Sequence, residues 1–157
     1  MQQVVKRTHV NLWKSTKDVL EWFQQFQGKQ DASFISFDIV EFYPSITENL
    51  LRSAIEFARQ YTEIQDHEVD TIMHAKRTVV FNNGEPWQKK NDNTGFDITM
   101  GSLDGAESCE LVVVYMLSLL QSKYGKSIGL YRDDGLGIFR ETPQQIDRIK
   151  KYICKTF

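Results

Sequence analysis

Apolar positions recur at helical spacing through "TKDVLEWFQQF", with Val19, Leu20, Trp22, Phe23 and Phe26 on one side. This predicts a helix capped at Ser15 or Thr16 and ending near Gly28. The period then changes to two. In "SFISFDIV" (33–40) Phe34, Ser36 and Asp38 alternate with Ile35, Phe37 and Ile39, which predicts a strand with Asp38 on the face opposite the more apolar set. After Pro44, "SITE" (45–48) has the form of a capping box opening a helix through about Tyr61, with Leu50, Leu51, Ala54, Ile55 and Ala58 turned inward. A second helix is expected from Asp66 to about Lys76. "TVVFNNGEPWQKK" has strand character on either side of Asn83-Gly84, a strong hairpin signal, and Pro86 puts the second arm at an edge. "FDITM" (96–100) reads as a short strand. From about Asp104 to Lys123 the chain is apolar nearly all round, which predicts a helix buried under a sheet. Apolar residues then flank "YRDDG" as a second hairpin, and "TPQQ" supplies a Thr cap, a Pro at the first helical position and a Gln three residues after the cap.

The order of strand, helices, hairpin, strand, helix, hairpin and helix predicts an α+β fold with one sheet backed by helices. At 157 residues, 41% of them hydrophobic and 25% charged, the chain has the composition of one soluble globular domain. The formal net charge of -2 provides no overall basic surface, so nucleic-acid binding would need a local patch. Cys109 and Cys154 have neither zinc-site nor disulfide-framework spacing; they read as small buried residues and reduced thiols, which suits an intracellular setting. The longest apolar run, "LVVVYMLSLL", is too short to cross a bilayer, and "MQQVVKRTHV" lacks a signal-peptide core, so neither a membrane segment nor export is expected.

The candidate chemistry lies in "GLYRDDGLGIF" (129–139). Asp-Gly is a turn signal, and a solvated turn is one reading of it. Two adjacent carboxylates, however, repel unless a cation sits nearby, and Asp38 at the end of its strand would join them if the two strands were neighbours. Divalent cations suit such a cluster: Mg2+ takes a few carboxylates, waters and substrate phosphates.

"FDIVEFYPSI", "TMGSLDGAE" and "YRDD" resemble, in order, the three central motifs of the reverse transcriptase palm, most closely that of mobile-element polymerases. The similarity covers residues 34 to 140, and "ETPQQIDRIKKYICKTF" is similar to the helix that follows the catalytic hairpin. The resemblance implies a polymerase palm, an antiparallel sheet with a catalytic hairpin backed by helices on an RRM/ferredoxin-like core. It implies a single partial domain over 1–157, with an N-terminal helical segment (1–30), a palm core (34–157), incomplete fingers and no thumb. The implied activity is RNA-directed DNA synthesis: two Mg2+ ions, or Mn2+, assist transfer of a deoxynucleotide from its triphosphate to a primer 3′-hydroxyl on an RNA template. Asp38, Asp133 and Asp134 would be the catalytic acids: Asp38 and Asp133 as metal ligands with the Ile39 carbonyl, and Asp134 as the second acid of the pair and a more peripheral ligand. Tyr43 would lie under the sugar of the incoming nucleotide and exclude a 2′-hydroxyl, Glu41 and Phe42 would line the triphosphate, and Met100 and Gly101 would approach the nucleotide or template. Tyr43 also reads as a core aromatic and Gly101 as a turn residue.

The chain departs from the family pattern at Thr99-Met100-Gly101, where a Pro-Gln-Gly run is common; a thioether there replaces a hydrogen-bonding amide. Asp104 reads as a helix cap. His67 and His74, seven apart, lack metal-ligand spacing, and His9 is distant. Trp13, Trp22 and Trp87 read as packing residues, and Lys89 and Lys90 as either a nucleic-acid contact or a solvated hairpin end. A non-catalytic remnant, or a module binding nucleic acid or protein on the same fold, is the alternative to a working polymerase; an unrelated interaction domain whose Asp-Asp-Gly is a plain turn is the third reading.

Overall fold

The structure is a computed structural model and describes residues 2–77, 80–87, 95–99 and 101–157. In chain order its elements are α1 (Gln2–Thr8), β1 (Leu12–Trp13), α2 (Thr16–Gln24), β2 (Ser33–Asp38), α3 (Phe42–Ser45), α4 (Glu48–Arg59), α5 (Asp66–Ala75), β3 (Val80–Asn82), β4 (Glu85–Trp87), α6 (Gly105–Tyr124), β5 (Ile128–Tyr131), β6 (Asp134–Phe139) and α7 (Pro143–Thr156). The fold is α+β, with a mixed four-stranded sheet and seven helices among the described residues. The chain divides into two compact units, residues 5–40 with 114–157, and residues 1–4 with 41–113. No helix among the described residues is long and apolar enough to cross a membrane.

The first unit is built on the sheet, in the order β1-β5-β6-β2. β6 pairs antiparallel with both β2 and β5, whereas β1 joins β5 in parallel, so the sheet is mixed rather than purely antiparallel. The parallel edge is tied down by Asn11: its side-chain amide donates to the carbonyls of Lys126 (2.9 Å) and Ile128 (3.1 Å), and its carbonyl accepts from the Leu130 N–H (3.0 Å). One face of the sheet carries Ile35, Ile128 and Phe139, closed by Leu120 of α6 and by Ile146, Ile149 and Ile153 of α7. Burying each such side chain stabilises the unit by roughly 2 kcal/mol. The other face carries Trp13 and Ile138 with Tyr131 and Leu136, and α2 covers part of it through Trp22, whose ring centroid lies 4.7 Å from that of Trp13. The Trp22 indole N–H donates to the Lys126 carbonyl (2.7 Å), which satisfies its one polar atom. Ser15 caps α2 in a capping box with Asp18. Leu20, expected on the apolar side of this helix, is 55% exposed.

In the other unit α4 buries Leu51, Ala54, Ile55 and Ala58, and α5 buries Val69 and Met73. The cap of α4 is Thr47, whose hydroxyl accepts from the Leu50 N–H, not Ser45 as "SITE" suggested. Ser45 instead closes the one-turn α3 by donating to the Phe42 carbonyl (2.7 Å), and Glu48 is freed to accept from Arg52 and Arg77. Asn83 (φ 52°) and Gly84 (φ 82°) turn β3 into β4 with positive φ at both central residues, as a two-residue hairpin of this hand requires. Trp87 on β4 is 60% exposed, so it is not a packing residue. Among the described residues, Phe96 pairs with Arg77 as an isolated bridge and 96–99 form no strand. Lys76 is a buried cation at 2% exposure, and its ammonium meets the Asp104 carboxylate at 2.5 Å. Asp104 does stand ahead of α6, and its carbonyl accepts from Ser108, but its side chain is spent on Lys76. Cys109 is buried as expected, whereas Cys154 is exposed.

Candidate functional site

The hairpin at the centre of the sheet turns two residues earlier than Asp134-Gly135 would suggest. Tyr131 pairs with Asp134, so Arg132 and Asp133 are the two turn residues, and Asp134 and Gly135 already belong to β6. Arg132 accepts a φ of 55° at the first central position, a conformation that side chains resist, and its guanidinium lies 5.5 Å from the centre of the Tyr131 ring.

The same register places Asp134 directly opposite Asp38. The Ile39 N–H donates to the Asp133 carbonyl (3.0 Å), which makes Ile39 and Asp133 a hydrogen-bonded pair and leaves Asp38 and Asp134 as a non-hydrogen-bonded one. In such pairs the α-carbons approach to about 4.5 Å and the side chains come closest. Both carboxylates are exposed, and among the described residues neither forms an ion pair. Like charges directly opposite across strands destabilise a sheet. Two hard carboxylate oxygens are donors of the kind that Mg2+ prefers, so the pair could hold such an ion. Asp133 sits in the turn beside them, exposed. Among the described residues no set of three or more His, Cys, Asp or Glu side chains stands in metal-holding geometry; the acids form a facing pair with a third in the adjoining turn.

The pair borders an open groove of about 530 Å³ whose walls include Trp13, Ser36, Tyr131 and Leu136. Ser36, two residues before Asp38, shares its face, which is why its hydroxyl reaches the groove. Period-two alternation in "SFISFD" carried that signal for Ser36; nothing local marked Trp13, which arrives through the parallel pairing of β1 with β5. The register also depends on Gly135. A Cβ there would lie 2.1 Å from the Phe37 ring, so Phe37 lies across a residue that can have no side chain.

Of the other candidate residues, Ile39 is buried and bonded to Asp133 as described. Glu41, Phe42, Tyr43 and Gly101 belong to the other unit. There Glu41 takes a φ of 51° ahead of α3, Phe42 is buried, Tyr43 is half-buried and Gly101 is exposed at a φ of 86°. Met100, Lys89 and Lys90 lie outside the described residues. His67 and His74 are exposed on α5.

Charge is unevenly divided. The unit that carries Asp38 and Asp134 has 13 Lys and Arg against 8 Asp and Glu, a net +5, while the other has 6 against 13, a net -7. The overall balance of -2 thus hides one basic unit, which includes the acidic pair, and one acidic unit. The chain matches no protein-family model, no curated protein sequence and no solved structure.

Proposed function

We propose that the chain is the palm portion of an RNA-directed DNA polymerase, transferring deoxynucleotides from their triphosphates to a primer 3′-hydroxyl paired to an RNA template. The observation that carries the reading is the facing of Asp38 and Asp134 across β2 and β6, from two of the three motifs that resemble this family. Two supports stand beside it: the pair lacks a basic partner among the described residues, and the unit that carries it has a net charge of +5, which suits a polyanionic substrate.

Asp38 and Asp134, with Asp133 at the turn, would hold divalent ions against the substrate phosphates. Mg2+ held by these acids would supply a lowered pKa for the attacking hydroxyl and charge neutralisation for the departing pyrophosphate. The chain itself supplies position: the Ile39–Asp133 bond locks the turn to β2, and Phe37 over Gly135 fixes the register that keeps the two acids face to face. Ser36 and Tyr131 offer hydroxyls to a sugar or phosphate in the groove, and Trp13 offers an apolar wall.

The test is primer extension on an RNA template with deoxynucleoside triphosphates and Mg2+, with Asp38→Asn and Asp133→Asn alongside. Removing one metal-holding carboxylate should lower the rate by about a thousandfold, the equivalent of several kcal/mol of transition-state stabilisation. Extension that survives in both variants would overturn the reading. Template–primer binding without extension would favour the alternative, a binding module on the same fold.

A further inference from the structure

At the far end of β6 from Asp134, beyond Phe139, lies a second groove of about 650 Å³ whose walls include Phe26, Lys123, Tyr124, Arg140, Glu141 and Arg148. A six-residue advance along a strand separates Arg140 from Asp134 by about 20 Å, so this is not the acidic site. We propose that this groove binds single-stranded nucleic acid, with Lys123, Arg140 and Arg148 contacting its phosphates and Tyr124 and Phe26 offering faces to a base.

Three cations from three elements converge here: Lys123 from the end of α6, Arg140 from just beyond β6, and Arg148 from the second turn of α7. Among the described residues none of the three is in an ion pair, and Glu141 is the one acid in the wall. Unpaired like charges gathered in one concavity raise its potential and draw in an anion. Two of the cations are held in place. Lys123 rests 3.7 Å from the centre of the Tyr152 ring, and the Arg140 guanidinium packs on the backbone of Gly28, where a Cβ would lie 2.8 Å from its Nη2. Positioned cations lose less side-chain freedom on binding than free ones.

Aromatic faces beside phosphate-binding cations are the combination that single strands use, because every base can stack and every nucleotide carries a charge. Tyr124 and Phe26 are both half-buried at the groove, so each keeps an accessible part. A small inorganic anion would need the cations alone, and a lipid headgroup would have no use for the rings. The +5 charge of the whole unit suits an extended polyanion over a single phosphate. The inference does not depend on whether Asp38 and Asp134 catalyse.

The experiment is fluorescence anisotropy of a labelled oligothymidylate and a labelled oligouridylate titrated with the full chain over a range of salt concentrations. Arg140→Gln/Arg148→Gln should weaken binding at least tenfold and reduce the slope of log affinity against log salt by about 1.4, at roughly 0.7 per lost single-strand phosphate contact. Lys14→Gln/Lys17→Gln removes the same charge from an exposed stretch outside the groove and should leave the slope nearly unchanged. Gly28→Ala reaches the groove indirectly, by displacing the Arg140 guanidinium, and should also weaken binding. Equal losses in the two double variants, or no binding by the parent, would overturn the proposal. Full competition by thymidine triphosphate or inorganic phosphate at the concentration of oligonucleotide phosphate would also overturn it, in favour of a small-anion site. Binding to phosphatidylserine vesicles but not to either oligonucleotide would do the same in favour of a lipid surface.

Discussion

Asp38 and Asp134 face each other across β2 and β6 at a position where the backbone makes no bond between them and their side chains approach most closely. A sheet places two carboxylates there at a cost. Replacing one of them should therefore stabilise the metal-free protein: Asp38→Asn should raise the unfolding free energy in chelator-treated buffer by about 0.2–1 kcal/mol, the usual size of a cross-strand charge effect. Added Mg2+ should then raise the parent's urea midpoint and leave that of Asp38→Asn unmoved, since a ligand stabilises only the state that binds it. A destabilised Asp38→Asn in metal-free buffer would show that the facing carboxylates do not repel.

The Phe37 ring lies across Gly135, and this contact sets the same register from the opposite face. Gly135→Ala should destabilise the unit by about 1–3 kcal/mol, the range for overpacking, and any catalytic activity should fall with it. Phe37→Leu should recover much of the loss in the double variant. A double-mutant cycle by urea unfolding measures the coupling, and additive effects would mean that the ring does not enforce the pairing.

Lys76 is buried at 2% exposure, and among the described residues its carboxylate partner is Asp104 at 2.5 Å. Asp104→Asn leaves an ammonium in the interior without a counter-charge and should cost roughly 3 kcal/mol, toward the lower end for a broken buried pair because Asp104 itself is partly exposed. Lys76→Met in the Asp104→Asn background removes the stranded charge while keeping the volume. It should restore most of the stability in equilibrium unfolding.

Asp18 accepts the backbone N–H of Lys14 (2.8 Å) and of Ser15 (2.9 Å). The Lys14 bond is the largest influence holding its carboxyl below the ordinary value of 3.8. A carboxyl depressed in the folded state contributes stability above its unfolded pKa and loses it as pH falls through the folded one. The gap in stability between the parent and Asp18→Asn should thus be full at neutral pH and close below about pH 4. Thermal unfolding followed by far-UV circular dichroism across that range checks it.

Local chemistry made much of this fold readable from the chain. Ser15 or Thr16, and Thr142 with Pro143 and Gln145, announced two helices because a cap acts within four residues of itself. Period-two alternation put Ser36 and Asp38 on one face of β2, and the unbroken apolar run of α6 gave a helix whose Leu117 and Leu120 are wholly buried. What depended on partners distant in sequence was not readable. The two residues of β1 are a strand only because they pair with Leu130 and Tyr131, and Lys76 is buried only because Asp104 meets it 28 positions later. The same limit decided the candidate site. The sequence by itself supplied the acids, their motifs and their faces. Only the tertiary structure decided that the turn falls at Arg132 and Asp133, that Asp134 is the residue opposite Asp38, and that a chain of net charge -2 divides into a unit of +5 that carries the pair and another of -7, because register and charge segregation are properties of which segments come together, and local preferences do not encode them.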